Sequence, residues 1–208
     1  MTHTTRQRLL AEVDWSLYVI LDPRALPDGA DLLEVGAAAL RGGAGALQLR
    51  DKSSSAREIV AQARRLGELC RERGALCIVN DRLDIALAAG ADGAHLGPED
   101  VPMDLARKVA PDIILGGSAG GPEVARRLVE EGADYIGVGA LYDAHPSKSD
   151  ASDPRGPEAI TAVRKAVGET PIVGIGGVTE ATAQDVVDAG ADGIAVIRAV
   201  LGAADPER

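Results

Sequence analysis

Four times along the chain a Gly-Ala segment ends a helix-like stretch and runs straight into an apolar, strand-like one: Gly43-Ala44-Gly45-Ala46, Gly90-Ala91-Asp92-Gly93, Gly132-Ala133-Asp134-Tyr135 and Gly190-Ala191-Asp192-Gly193. Glycine suits the left-handed turn just past a helix C-terminus, and so short a link leaves only a tight turn before the next strand. The copies recur at intervals of roughly 40 to 60 residues, and a further β-rich run precedes each, so the pattern predicts four βαβα modules. The runs that read as strands are 17–21, 46–50, 76–79, 94–96, 113–115, 135–138, 172–175 and 194–197. Short, evenly spaced strands alternating with helices fit a single closed (β/α)₈ barrel of the TIM type better than an open doubly wound sheet. The helices between them read most clearly at 30–40 and 55–73, the latter with caps offered by Ser53 to Ser55 and a stop at Gly74.

One domain over 1–208 is therefore expected, with 1–14 a frayed or helical lead-in and only Ala199 to Arg208 left for a short final helix. The longest polar stretch, 143–156, stands where barrels carry mobile active-site loops. A core built from a chain that is 46% hydrophobic but only 2% aromatic must come from Ala, Val, Leu and Ile, the residues that fill the layers of parallel sheets. A formal charge of −10 argues against a nucleic-acid surface, so any anion site must use a few placed cations. Cys70 and Cys77 are too few for a disulfide framework, no run is long enough for a membrane span, and residues before Trp15 do not read as a secretory signal; a cytoplasmic protein is expected. A homo-oligomer is compatible with everything in the sequence.

In a barrel the residues just past each strand converge on one mouth. Here these include Gln48, Arg50 and Lys52; Asn80 and Asp81; Asp100; Ser118; and Lys148. Asp81 and Asp100, past successive strands, are placed to share an oxygen-loving cation such as Mg²⁺ while leaving coordination sites for water and phosphate oxygens. Gly176-Gly177 after the seventh strand and Ile197-Arg198 at the end of the eighth stand where barrels commonly hold a phosphate on backbone N–H groups. Two anion sites and a metal imply two phosphorylated small-molecule reactants. The plainer readings are that Asp81 and Ser118 cap helices, that His95 is a hydrogen-bonded core residue and that Cys77 is packing. It is the convergence on one face that favours chemistry.

The runs Gln48-Leu49-Arg50-Asp51-Lys52, Val79-Asn80-Asp81-Arg82, Gly93-Ala94-His95-Leu96-Gly97 with Glu99-Asp100, Asp134-Tyr135-Ile136-Gly137-Val138-Gly139 and Gly174-Ile175-Gly176-Gly177-Val178 resemble the thiamine phosphate synthase family. The resemblance runs from about Leu17 to Pro206. It implies a transferase that joins hydroxymethylpyrimidine diphosphate to a thiazole phosphate, giving thiamine phosphate and diphosphate with Mg²⁺ as cofactor. Carried over by position, it makes Gln48, Leu49, Arg50, Asp51, Lys52, Asn80, Ser118 and Lys148 contacts to the pyrimidine diphosphate. Asp81 and Asp100 become the Mg²⁺ ligands, and His145, Pro146, Ser147, Gly177, Ile197 and Arg198 belong to the thiazole phosphate. No protein nucleophile is implied.

The chain departs from the family at Tyr142 to Lys148, where His145 and Ser147 stand in place of two threonines in a loop one residue longer. Either can still donate a hydrogen bond. Asp51, where Glu is frequent, is a smaller change. The related thiazole tautomerases tend to lose the Asn-Asp pair and carry a His soon after the Ser of strand five; here Asn80-Asp81 is intact and Ser118 is followed by Ala119-Gly120. A tautomerase-like or non-catalytic phosphate-binding barrel is the alternative. A phosphosugar isomerase on the same barrel would give no reason for paired metal-binding carboxylates.

Overall fold

Residues 5–143 and 154–208 are described by the computed structural model. Within them, strands β1 (Leu17–Leu21), β2 (Ala46–Leu49), β3 (Leu76–Asn80), β4 (Gly93–Leu96), β5 (Ile114–Ala119), β6 (Tyr135–Val138), β7 (Ile172–Ile175) and β8 (Gly193–Val196) form one closed parallel barrel in sequence order. β1 closes the ring by pairing with β2 on one side, Tyr18 opposite Ala46, and β8 on the other, Leu17 opposite Ile194. The expected (β/α)₈ barrel is the observed fold. Helices α1 (Thr5–Glu12), α2 (Leu32–Arg41), α3 (Ala56–Arg73), α4 (Leu83–Ala89), α5 (Met103–Val109), α6 (Pro122–Glu130), α7 (Glu158–Val167), α8 (Glu180–Asp188) and α9 (Arg198–Leu201) complete the chain order.

Strand alternation divides the core in two. One set of side chains, with Val19, Leu21, Leu47, Leu49, Cys77, Val79 and Leu115, packs between strands and helices. The other, with Tyr18, Ile20, Ala46, Leu76, Ile78, Ile114, Tyr135, Val173 and Ala195, fills the barrel interior, and Trp15 with Leu9, Leu10 and Val13 of the lead-in joins it. Burying both sets removes nearly all strand side chains from water, the dominant favourable term in folding. Both cysteines are free and buried, as the sequence reading expects.

The repeated Gly-Ala-Asp segment has a structural reason. Gly43, Gly90, Gly132 and Gly190 all have positive φ, a conformation glycine takes without the Cβ penalty. The Asp of each of the last three copies clamps the strand it follows in space. The Asp92 carboxylate accepts the Cys77 N–H at 2.8 Å while its own N–H donates to the Cys77 carbonyl at 2.9 Å. Asp134 does the same with Leu115, and Asp192 with Ile172. In two modules an arginine of the previous helix pair locks the clamp. Arg107 of α5 donates to the Gly132 carbonyl and to Asp134, and Arg164 of α7 donates to the Gly190 carbonyl and to Asp192. Arg6 of α1 adds a second cation to Asp134 across the foot of the barrel.

Other elements start and stop where local chemistry dictates. Asp31 caps α2, accepting from Leu33 N–H at 2.8 Å and Glu34 N–H at 3.0 Å, so the helix begins two residues later than the apolar pattern suggests. Ser55 and Glu58 form a reciprocal capping box on α3, and Gly74 ends it in the left-handed conformation. Two expectations need correction. β5 runs to Ala119 rather than stopping at Leu115, which puts Ser118 inside a strand instead of at a helix cap. Asp81 does not cap α4, whose cap residue is Arg82 with no side-chain bond. The expected short final helix is Arg198–Leu201, and the residues after it turn back so that Arg41 donates to Glu207 at 2.7 Å.

Candidate active site

At the carboxyl end of the barrel a cavity of about 220 Å³ opens, with Gln48, Arg50, Lys52, Asn80, Asp81, Asp100 and Ser118 in its wall. Their assembly follows from alternation. Ala46, Gln48 and Arg50 share one face of the chain, Ile78 and Asn80 another, and Gly116 and Ser118 a third, and each face points into the barrel. Sequence positions separated by as many as 70 residues thus meet in one chamber. Tyr18, Ile20, His95, Tyr135, Gly137, Val173, Ile175 and Ala195 supply its floor.

Arg50 is the most enclosed cation of the site. Its side chain is 5% exposed and ion-pairs with Asp22, itself 3% exposed, at the end of β1. Asp22 also accepts from the backbone N–H of Arg24 at 3.0 Å and from its guanidinium. Burial alone would push the Asp22 carboxyl up, but the bonds from Arg24 and Arg50 outweigh it and hold its pKa below the usual range. Asp22 therefore holds Arg50 in place in the chamber wall.

Lys52 lies 3.3 Å from the Asp81 carboxylate, both partly exposed. Asp81 is the one described non-glycine residue with positive φ (63°), and its N–H donates to the His95 carbonyl at 2.8 Å, so its side chain is held against the β4 end by a backbone conformation that costs energy. Asp100 reaches the same place from the loop after β4, where the Gly97 N–H donates to its Oδ2 at 2.6 Å. Burial raises the Asp100 pKa, and the adjacent Asp81 carboxylate raises it further against the opposing Gly97 bond and the Lys52 charge. Two hard-oxygen carboxylates close enough to repel one another fit a divalent cation between them. Among the described residues no cluster of three or more His, Cys, Asp or Glu side chains is placed to hold a metal ion, so the candidate cation site rests on this pair of carboxylates in the cavity wall.

The other described residues expected at the site are not in the wall of this cavity. Leu49 is buried among the helix-facing side chains, as its parity demands. The Asp51 carboxylate accepts from Ser53 N–H and Ser54 N–H, at 2.8 and 3.0 Å, and caps the turn before α3. Gly177, Ile197 and Arg198 do not line the cavity. Gly176 and Gly177 both have positive φ, and a Cβ on Gly177 would overlap the backbone of Asp143 and the side chain of Tyr142, so glycine is required there. Arg198 opens α9 directly after β8. The expected loop contacts His145, Pro146, Ser147 and Lys148, and most of the 143–156 loop, lie outside the described residues.

Sequence reasoning missed Tyr18 and Tyr135 as members of the site and read His95 as a hydrogen-bonded core residue. His95 is hydrogen-bonded, as that reading holds, but its partners are the Tyr135 hydroxyl and Ser118 inside the cavity. The signal was available: Tyr18 has the parity of Ile20, and His95 and Tyr135 pair through the register with Asn80 and Gly116, all inward positions.

Known proteins of similar sequence and shape share this architecture. A thiamine-phosphate synthase of Moorella thermoacetica is 56% identical over 129 residues, 62% of this chain; the match covers 60% of that relative's own length. The solved structure of a thiamine phosphate pyrophosphorylase from Pyrococcus furiosus superposes with a TM-score of 0.85 at 40% identity, covering 95% of this chain and 92% of that one. An N-acetylmannosamine-6-phosphate 2-epimerase from Clostridium perfringens, at 14% identity and a TM-score of 0.70 over 96% of this chain and 93% of its own, shares the fold alone. Residues 17–200 match the family described as thiamine monophosphate synthase, and the chain belongs to that family.

Proposed function

We propose that this chain condenses hydroxymethylpyrimidine diphosphate with thiazole phosphate to give thiamine phosphate and diphosphate. The observation that carries the reading is the meeting of Asp81, Asp100, Lys52 and Arg50 in one cavity, two carboxylates beside two cations at the mouth of a family barrel. Arg50, anchored by Asp22, and Lys52 bind the diphosphate and take up the charge that develops as it departs. Asn80 and Gln48 orient the pyrimidine ring, whose amino group lets it carry a transient methylene cation; Ser118 and Lys148 complete the diphosphate contacts. The thiazole nitrogen then forms the new bond to that carbon, so no side-chain nucleophile is used. Asp81 and Asp100 would hold Mg²⁺, which when bound supplies further charge neutralisation for the leaving diphosphate.

For the thiazole phosphate, the glycine turn at Gly176-Gly177 and the start of the chain after β8 at Ile197 and Arg198 are the proposed seat, together with His145, Pro146 and Ser147. On this reading the chain works as one barrel domain, with 143–156 its active-site loop, in the cytoplasm and on small phosphorylated molecules rather than nucleic acid or membranes. No described helix is long and apolar enough to cross a membrane.

The test is incubation with both phosphorylated partners and Mg²⁺, following joined product and released diphosphate. Equimolar formation of both supports the reading. Tight binding of either phosphate by calorimetry without product formation would favour a phosphate-binding barrel instead.

A further inference from the structure

Below the charged rim, five side chains form an unbroken hydrogen-bonded path across the barrel. Gln48 Nε2 donates to the Tyr18 hydroxyl at 2.8 Å, the Tyr18 and Tyr135 hydroxyls lie 2.9 Å apart, the Tyr135 hydroxyl is 3.0 Å from His95 Nδ1, and His95 Nε2 is 2.9 Å from Ser118 Oγ. We propose that Tyr18, Tyr135 and His95 are positioning residues forming a one-way relay, which sets the amide of Gln48 and the hydroxyl of Ser118 in a single donor–acceptor arrangement and thereby selects a 4-aminopyrimidine over a 4-oxopyrimidine. The relay is independent of the proposed reaction, and the selection rests on it.

The direction follows from the Gln48 amide nitrogen facing Tyr18 and, from there on, from counting hydrogens. An amide nitrogen only donates, so the Tyr18 oxygen accepts from Gln48. The one hydrogen on Tyr18 then goes to Tyr135, and the one on Tyr135 goes to His95 Nδ1. An imidazole that accepts at Nδ1 carries its proton on Nε2 and donates it to Ser118 Oγ, leaving the Ser118 hydrogen for the cavity. Burial raises the pKa of both phenols, so both stay protonated and the order holds at neutral pH. Turning the Gln48 amide round reverses every bond in the path or leaves buried groups unpaired.

Packing alone does not account for these residues. The chain has no phenylalanine and only three tyrosines, yet two of them fill this interior, where a phenylalanine would occupy the same volume without a hydroxyl. The barrel also makes room for the path. A Cβ at Gly116 would overlap the Tyr135 ring, and one at Gly137 would sit 3.0 Å from His95 Cε1.

With one Nε2 hydrogen committed to Tyr18, Gln48 keeps its carbonyl oxygen and a second N–H for a ligand, an acceptor beside a donor. A 4-aminopyrimidine offers the complement, an amine donor beside a ring-nitrogen acceptor. A 4-oxopyrimidine offers the reverse, and a site with committed polar groups rejects a reversed pattern by ~10²-fold or more.

The experiment has two arms. In the free protein, ¹⁵N NMR of His95, assigned with His95→Gln, should show the proton on Nε2, and Tyr135→Phe should abolish that single-tautomer signature. A wild-type proton on Nδ1 overturns the relay. In kinetics with thiazole phosphate and Mg²⁺, wild type should prefer the amino- over the oxopyrimidine diphosphate by ~10²-fold in kcat/KM, and Tyr135→Phe should shrink that ratio at least ~10-fold. An unchanged ratio in a folded variant overturns the selection. Tyr18→Phe, which cuts the path beside Gln48, carries the same two readouts if Tyr135→Phe fails to fold. No joined product from either pyrimidine with wild type overturns the proposed reaction and the selection with it, while the tautomer still decides the relay.

Discussion

Replacing Arg50 by Met should destabilise the protein through the charge it leaves behind. The Arg50 and Asp22 side chains are 5% and 3% exposed, so their pairing is out of water. Breaking a buried pair from one side typically costs ~3–5 kcal/mol, because the remaining charge is buried without its partner. Asp22 would keep its bonds from Arg24, whose side chain is 53% exposed, so a cost at or just below the bottom of that range, about 2–3 kcal/mol, is expected. For a chain of this size that is a fall in Tm of about 4–12 °C. Asp22→Leu combined with Arg50→Met removes both charges and should recover most of the loss. The pH dependence has a definite sign. The folded pKa of Asp22 lies below its unfolded value, so its contribution is present above about pH 4 and is lost as pH falls through the folded pKa. Urea unfolding of wild type and the single and double variants should therefore show an Arg50→Met penalty that is full at neutral pH and shrinks in acid. An Arg50→Met protein as stable as wild type at neutral pH, or a double variant no better than the single, would refute the reasoning.

Asp100→Asn should leave Tm unchanged or raised at neutral pH, since it removes a carboxylate whose pKa burial and Asp81 push up while an amide oxygen can still accept the Gly97 N–H; diphosphate release should nonetheless fall by ~10²-fold or more. Gly116→Ala should cost ~1–3 kcal/mol in urea unfolding, because the added methyl meets the Tyr135 ring in a filled interior. Arg107→Met should cost about 2 kcal/mol, the scale of lost hydrogen bonds to a charged group, with Arg6 still pairing Asp134.

The barrel was legible because its punctuation is local. Each Gly-Ala pair announces a helix end, and in the last three copies the Asp that follows carries a clamp whose need comes from the turn itself. Arg50, Asn80, Asp81 and Asp100 were legible as well, since residues at strand ends in a barrel have one mouth to face. β5 was read short because Gly116-Gly117 has low strand propensity on its own; the glycine at 116 is explained only by the Tyr135 ring on the neighbouring strand, information that lies across the sheet. Leu49 and Asp51 came with the family run Gln48 to Lys52, but alternation turns Leu49 to the helices and the Ser53-Ser54 turn occupies Asp51. Tyr18 and Tyr135 escaped notice because an apolar strand gives its inward and outward faces equal hydrophobicity, so parity must be read from a polar neighbour such as Gln48.

The central claim is that Asp81 and Asp100 act together on one cation beside the diphosphate. Calorimetric titration of Mg²⁺ into protein saturated with pyrimidine diphosphate, for wild type, Asp81→Asn, Asp100→Asn and the double variant, measures it most directly. The account predicts one Mg²⁺ per chain in wild type, a large loss of affinity in each single variant, and little further loss in the double, because either carboxylate alone cannot complete the site. Mg²⁺ binding that survives in both single variants would contradict it.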